Sequence, residues 1–212
     1  MSVSKRPHLR RPVALTVATL ALAGALSACA PLVVGTAVGS GVLVATDRRT
    51  SGIQLEDQGI ELRAAARLRE QFGDRVRVSV TSYNRRVLLT GEVPSEADRA
   101  TASRLVAGVE NVREIIDELG VMSSPSLTAR SADGLVTARV KAAMVDARDL
   151  QANVFKVVTE RGTTYLMGRV TQREAERATE VTRSIPGVQR VVRVFEIISD
   201  EELARPQSAP AR

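Results

Sequence analysis

An internal repeat constrains the fold of this chain more than any other feature of its sequence. A glycine after an apolar run, an Ala-acid-Arg-Ala block and a Gly-Val step each occur twice in the same order. Gly91 and Gly168 are 77 residues apart, whereas Gly108 and Gly187 are 79 apart, so the second copy carries small insertions. Three matched blocks in order indicate duplication of one folding unit. The matched blocks are residues 87–92 with 164–170, 97–100 with 175–178, and 108–112 with 187–191.

Each copy has the same predicted order of elements: helix, strand, strand, helix, strand. The two strands in the middle are joined by short connections at 83–85 and 161–162, which are typical of hairpins. A three-stranded mixed sheet packed by two helices forms two layers, and a unit of about 65 residues can fold alone. The sequence therefore predicts an α+β fold with two tandem αββαβ domains. We expect helices at 56–71, 95–107, 133–148 and 172–184, and strands at 75–81, 86–91, 111–121, 154–160, 163–168 and 188–198.

The N-terminal segment has the three parts of an export signal. Residues 1–11 carry four basic residues and no acid, residues 13–26 are uncharged, and small residues lead to Cys29, the only cysteine. This ending resembles the lipobox of bacterial lipoproteins, which implies that Cys29 becomes the lipidated first residue of the mature protein. Ala30, rather than Asp, follows the cysteine, and by the lipoprotein sorting rule this favours the outer membrane. The alternative is an ordinary signal or a short membrane helix in which Cys29 is incidental.

The remaining segments connect the two predicted domains to the membrane and to each other. Residues 30–46 lack charge and contain three glycines, so we interpret them as a tether rather than a membrane-spanning helix. The link between the domains is short, and we expect the domains to touch or to move only modestly. The predicted parts are a lipoprotein signal peptide at 1–28, a lipidated N-terminus and flexible tether at 29–55, the first domain at 56–122, a linker at 123–130, the second domain at 131–199 and a disordered tail at 200–212.

Composition excludes several classes of function. Cleavage before Cys29 removes four of the 30 basic residues, which leaves 26 against 24 acidic residues and lowers the net charge from +6 to +2. Aromatic residues are scarce, so we expect no nucleic-acid partner.

The only histidine, His8, lies in the signal, which excludes His-based nucleophile pairs and His/Cys metal sites from the mature chain. We expect no catalytic residue, no metal and no cofactor other than the covalent lipid. An enzyme is a third alternative, for which the densest acidic group, Glu92, Glu96 and Asp98, would be the candidate; because these residues lie at a strand end and a helix start, they are interpreted as favouring a helix dipole.

The repeated blocks resemble the BON domain, a small αββαβ module of bacterial periplasmic and outer-membrane proteins. Two copies behind a lipobox are similar to dual BON-domain outer-membrane lipoproteins of the DolP type. The resemblance covers roughly residues 29–198 and is most specific at 87–91 and 165–175. It implies a non-enzymatic protein, lipid-anchored on the periplasmic face of the outer membrane, that supports envelope integrity. It also implies binding of anionic phospholipid through the first helix of the second domain.

The residues of that helix permit such a role independently. The second copy is the basic one: eleven Lys and Arg against eight acids at 131–199, compared with ten against ten at 59–122. One helix face should be core, namely Val136, Val140, Ala143, Met144 and Ala147. Small apolar residues flanked by cations on the remaining surface could rest on an anionic bilayer, although the alternative is a solvated face that Asp146 and Asp149 partly neutralise. The candidate phospholipid-binding residues are Leu135, Ala138, Arg139, Lys141, Ala142, Val145 and Arg148.

A second interpretation is a protein-interaction adaptor without direct lipid recognition. The edge strands and faces of two small sheets could bind outer-membrane assembly proteins or cell-wall machinery. A salt-sensitive interaction with vesicles would favour lipid binding. A saturable interaction with a protein, indifferent to lipid charge, would favour the adaptor.

Overall fold

The computed structural model describes residues 47–122 and 126–204, so the predicted signal, Cys29 and most of the tether lie outside the described residues. The elements follow the predicted order in both copies, and the α+β fold is confirmed. They are α1 (Ser51–Phe72), β1 (Arg77–Tyr83), β2 (Arg86–Val93), α2 (Glu96–Ala107), β3 (Glu114–Asp117), β4 (Gly120–Val121), α3 (Leu127–Asp146), a 3-10 turn (Ala152–Val154), β5 (Lys156–Glu160), β6 (Thr163–Val170), α4 (Gln172–Arg183), β7 (Arg190–Ile197) and α5 (Asp200–Ala204).

Both domains contain a mixed sheet, as predicted. In the first domain β1 pairs antiparallel with β2, and β2 pairs parallel with β3 and β4. In the second domain β5 pairs antiparallel with β6, and β6 pairs parallel with β7. The hairpin turns at Asn84-Arg85 and Arg161-Gly162 both have positive φ angles, which match the twist of two-residue hairpins.

The last strand of the first domain is interrupted, whereas the sequence predicts one strand at 111–121. The side chain of Asp117 accepts a hydrogen bond of 3.0 Å from the backbone N–H of Leu119. This local turn competes with the strand ladder, and Leu119 is thereby buried in the core. The equivalent strand of the second domain, β7, runs without a break.

Three predicted boundaries are corrected, because a Ser or Thr caps a helix within a segment that was predicted to be tether, linker or tail. Thr50 caps α1, so residues 51–55 are helix rather than flexible tether. Ser126 caps α3, so 127–130 are helix rather than linker. Ser199 accepts a hydrogen bond of 3.1 Å from the Glu202 N–H, so 200–204 form α5 rather than the start of a disordered tail.

Each domain has its own core between helices and sheet, and a third apolar cluster joins the two sheets. Along β2, Val87 and Leu89 pack in the core of the first domain, whereas Leu88 faces the opposite way. The two sheets therefore pack on each other, with the helices outside. The buried residues of this interdomain cluster are Tyr83, Leu88, Tyr165, Met167 and Val194.

Candidate functional surface

The first helix of the second domain, α3, has its buried face and its exposed face where the sequence predicts them. Val136, Val140 and Met144 are buried in the core of that domain. The seven candidate residues are all exposed, including the two large apolar ones, of which Leu135 is 59% and Val145 69% accessible. We call these seven residues the α3 surface: Leu135, Ala138, Arg139, Lys141, Ala142, Val145 and Arg148.

The α3 surface has an apolar stripe between cations. Successive residues of an α-helix are about 100° apart around the helix axis, so the four apolar residues of the α3 surface fall within a sector of about 80°. By the same geometry Arg139 and Lys141 lie about 40° to either side of that sector. Arg148 follows the end of α3, where the helix dipole favours a cation. The apolar stripe consists of Leu135, Ala138, Ala142 and Val145.

The cations of the α3 surface are available for a partner. Among the residues that the structure describes, none forms a salt bridge with Arg139, Lys141 or Arg148. The sequence would allow Asp146 and Asp149 to neutralise these three cations. In the structure neither aspartate pairs directly with them, and Asp149 instead pairs with Arg177 at 2.9 Å.

The matching helix of the first domain exposes a different set of residues, in which Leu55 and Leu62 are 70% and 73% accessible. Its buried residues Ile60, Ala64 and Leu68 precede Val136, Val140 and Met144 by 76 positions each, which aligns the two helices. In this alignment Arg139 corresponds to Arg63, whose guanidinium lies 2.6 Å from the carboxylate of Glu56. Lys141 corresponds to Ala65. The pair Arg139 and Lys141, neither of which forms a salt bridge with a described residue, is therefore not repeated at the matching positions of α1.

Ion pairs surround the contact between the two sheets. Glu92, only 1% exposed, accepts hydrogen bonds from Arg77 of its own domain at 2.8 Å and from Arg161 of the second domain at 2.7 Å. Arg77 also pairs with Glu160. Glu92 therefore holds the domains together rather than favouring a helix dipole, which corrects the expectation from sequence.

The other two members of the acidic group lie where the sequence predicts, in the first turn of α2. Glu96 is exposed, and Asp98 accepts a hydrogen bond of 2.6 Å from the Ser95 hydroxyl.

The segment 47–50 contacts both domains, which sequence reasoning missed. Arg48 is 6% exposed and forms a bidentate salt bridge with Glu174 of the second domain, with both N–O distances 2.7 Å. The neighbouring Arg49 binds Asp57 of the first domain at 2.7 Å and lies over the ring of Tyr83, 4.0 Å from its centroid. One signal was present in the sequence, because Thr171-x-x-Glu174 is a capping box that fixes this carboxylate at the start of α4.

Burial and neighbouring charges shift the pKa values of three groups at these contacts. Burial alone would raise the pKa of Glu174, but hydrogen bonds from Arg48 and from the Thr171 backbone outweigh it and hold the pKa below the ordinary value. Burial, together with the Asp47 carboxylate, raises the pKa of Tyr83 to about 12. Burial, together with Glu118, raises the pKa of Tyr165 to about 12. The ionised carboxylate and the neutral phenols are thus the forms that the interface stabilises.

In residues 47–122 and 126–204, no helix combines the length and the apolar character needed to cross a membrane.

Comparison with known proteins agrees with the duplicated fold. The BON domain family model matches residues 57–122 and 132–199. The chain is 38% identical over 196 residues to the outer membrane lipoprotein DolP of Haemophilus influenzae, covering 90% of this chain and 97% of that protein. It is 32% identical over 154 residues to a 21 kDa hemolysin of Actinobacillus pleuropneumoniae, covering 72% of this chain and 79% of that protein. It is 29% identical over 117 residues to osmotically-inducible protein Y of Escherichia coli, covering 54% and 58%. The chain therefore belongs to the BON-domain family and is an outer-membrane lipoprotein with two BON domains.

Proposed function

We propose that this lipoprotein binds anionic phospholipid through the α3 surface and thereby supports the integrity of the outer membrane. The observation that carries the proposal is the exposed apolar stripe of α3 with Arg139 and Lys141 on either side, neither of which forms a salt bridge with a described residue. Leu135 and Val145 can enter the boundary between headgroups and acyl chains, while Arg139 and Lys141 remain at the level of the phosphates. The role is physical rather than enzymatic.

The expected affinity of the surface alone is low. Each Lys or Arg near an anionic membrane contributes about 1 kcal/mol, so three cations contribute about 3 kcal/mol before screening by salt. A covalent lipid on Cys29 raises the effective concentration of the domain at the bilayer, so weak contacts become sufficient. The anchor thus supplies attachment, and the α3 surface supplies preference for anionic headgroups.

Charge reversal tests the proposal with a matched control. The variant R139E/K141E is compared with R173E/R183E, which makes the same change of charge on exposed residues of α4 in the same domain. Each is made in a chain beginning at Asp47, without the anchor, and is sedimented with phosphatidylglycerol vesicles. We expect R139E/K141E to abolish salt-sensitive binding and R173E/R183E to reduce it only slightly. Equal losses in the two variants would show that net charge, not the α3 surface, governs binding.

The adaptor function remains a second candidate, and one observation favours it. The faces of both sheets are buried, by helices on one side and by the other sheet on the opposite side, so they cannot serve as docking faces. The strand β7, however, lies at the edge of its sheet with eight unbroken residues, and Ile197 near its end is half exposed. An extended segment of an outer-membrane assembly protein could pair there. Binding to such a protein that is unchanged by R139E/K141E and by lipid charge would support this function.

A further inference from the structure

A groove lies between the edge strand β7 and the helix α4 of the second domain. It has a volume of about 290 Å³. A second, shallower depression continues from it past the end of β7 and along the start of α4. The free edge of β7 therefore has an open space beside it. The residues that line the groove are Gln172, Ala175, Arg193, Phe195 and Ile197.

The first domain offers a direct comparison, because its last strand has the same register. Asp117 of β3 is paired with Leu89 of β2. Arg193 of β7 is paired with Leu166 of β6. Each of these leucines lies two residues before the matched glycine of its repeat, so the aspartate and the arginine occupy equivalent positions.

In the first domain the helix α2 closes this place with an ion pair. Arg99 donates from Nε to both carboxylate oxygens of Asp117 at 3.2 Å, and the Ser103 hydroxyl donates to the same carboxylate at 2.6 Å. Counted from the capping residue of each helix, Arg99 corresponds to Ala175 of α4. The second domain thus has a methyl group where the first has the guanidinium that fills the space.

Arg193 has no carboxylate to replace the one that Asp117 supplies. Its guanidinium is exposed, and within residues 47–122 and 126–204 no side chain forms a salt bridge with it. The other arginine of β7, by contrast, lies 2.9 Å from a carboxylate of the first domain. The depression past the end of β7 carries two acids, Asp200 and Glu201, against one cation, Arg173. An acidic group of a partner is therefore favoured at the Arg193 end of the groove.

The backbone of β7 can pair with an added strand. The strand is at the edge of its sheet and runs for eight residues without a break. The N–H and C=O groups along such an edge can bind an extended segment. Because side chains alternate along a strand, every second side chain of that segment would lie on the groove side. There Phe195 is partly exposed and Ile197 half exposed, so they offer apolar surface next to Arg193.

We propose that β7 and α4 form a docking groove for an extended segment of another protein, in which an Asp or Glu of that segment binds Arg193 and an apolar side chain packs on Phe195 and Ile197. This inference rests on the adaptor function, and it gives the chemistry of the partner. A second copy of this chain pairing through β7 would supply no carboxylate, because the groove-facing residues of that strand include no acid.

A charge exchange between protein and peptide tests the groove. The probe is a fluorescent synthetic peptide, Thr-Val-Thr-Asp-Thr-Val-Thr-Val-Thr, which places Val and Asp on one face of a strand. A second peptide carries Lys in place of Asp. Binding is measured by fluorescence anisotropy with the full lipidated chain in nanodiscs of neutral phosphatidylcholine. The variant is R193E, and the control R183E makes the same change of charge at an exposed residue of α4.

We expect R193E to weaken binding of the Asp peptide about tenfold or more, since a charge-assisted hydrogen bond is lost. The same variant should bind the Lys peptide more tightly than wild type does. R183E should leave both affinities nearly unchanged. Equal effects of R193E and R183E would overturn the role of Arg193.

The location is tested with a photoreactive form of the Asp peptide. We expect crosslinks to residues 171–175 and 193–197, and crosslinks confined to other regions would overturn the groove. Crosslinks at these residues with an affinity that R193E does not change would leave the adaptor function standing and overturn only the acidic partner. Absence of binding by either peptide would overturn both and leave Arg193 as a charge that protects the strand edge. A dimer in analytical ultracentrifugation that R193E dissociates would identify a second copy as the occupant and also overturn the proposal. Neutral lipid keeps these outcomes separate from lipid binding by α3.

Discussion

Arg161, in the hairpin turn of the second domain, places Nη1 2.7 Å from Oε1 of Glu92 near the end of β2 in the first domain. The same nitrogen donates to the backbone carbonyl of Gly91 at 2.8 Å, and Nη2 donates to that of Glu118 at 3.1 Å. One side chain of the second domain thus satisfies three acceptors of the first. Together with the apolar cluster between the sheets, this contact makes the two domains a single packed unit.

Neutralising Glu92 should destabilise this unit. The variant E92Q leaves Arg77 and Arg161 facing each other without the buried carboxylate, and we expect the free energy of unfolding to fall by about 2 kcal/mol or more. The control E114Q removes an exposed pair with Arg86 and should cost less than about 1 kcal/mol. Urea denaturation followed by circular dichroism measures both. A loss for E92Q no larger than for E114Q would contradict the assigned role of Glu92.

Truncating the apolar cluster should affect both domains at once. Met167 is fully buried between the sheets, and M167A should lower the free energy of unfolding by about 2–4 kcal/mol. Because Tyr83 of the first domain and Tyr165 of the second lie in the same interdomain cluster, calorimetry and tyrosine fluorescence should give one shared transition in wild type. Two separated transitions in wild type would show that the domains unfold independently.

Two glycines should respond oppositely to alanine. Gly91 has φ of 112°, and a Cβ there would lie 1.9 Å from the backbone oxygen of Arg77. G91A should therefore lower the free energy of unfolding by about 2 kcal/mol or more. Gly134 lies within α3 with nothing near the added Cβ, so G134A should raise it by up to about 1 kcal/mol. A neutral G91A in thermal denaturation would contradict the structure of this hairpin.

The two tyrosines should remain protonated well above their ordinary pKa of 10. Burial raises the pKa of both to about 12, so the folded state holds these protons more tightly than the unfolded chain does. The resulting stability is complete below pH 10 and is lost as the pH rises from 10 toward 12. Absorbance at 295 nm measures phenolate directly, because the chain has two Tyr and no Trp. Phenolate formation near pH 10 before unfolding would contradict the buried interface.

Much of this architecture was predictable, because the repeated sequence blocks and the local pattern of apolar residues indicate the same helices and strands. Repeated blocks located both domains, and the spacing of Val136, Val140 and Met144 identified the buried face of α3 and hence its exposed face. The interdomain contact was harder to predict, because it depends on residues distant in sequence. One signal was available: β7 is apolar on both faces, with Val192 and Val194 on one and Val191 and Phe195 on the other. Such a strand is typical of a sheet covered on both sides.

The contacts of segment 47–50 with both domains could not be predicted, since charged residues next to a Gly-rich segment usually indicate solvated chain. Arg48 is buried only because Glu174, 126 positions later, lies at the start of α4 with its carboxylate already oriented by Thr171. Long-range pairing of this kind leaves no periodic pattern. The break in the last strand of the first domain likewise depends on one side chain, Asp117, bonding to the backbone of Leu119.

The most direct test of lipid recognition is an NMR titration of isotopically labelled residues 47–212, which retain segment 47–50 but lack the anchor. The chain is titrated with phosphatidylglycerol or cardiolipin vesicles and, separately, with neutral phosphatidylcholine vesicles. We predict shifts confined to residues 135–148 with anionic lipid, lost at high salt because screening weakens contacts between exposed charges. Absence of shifts on α3 with either anionic lipid, or equal shifts with neutral lipid, would contradict recognition of anionic phospholipid by this surface.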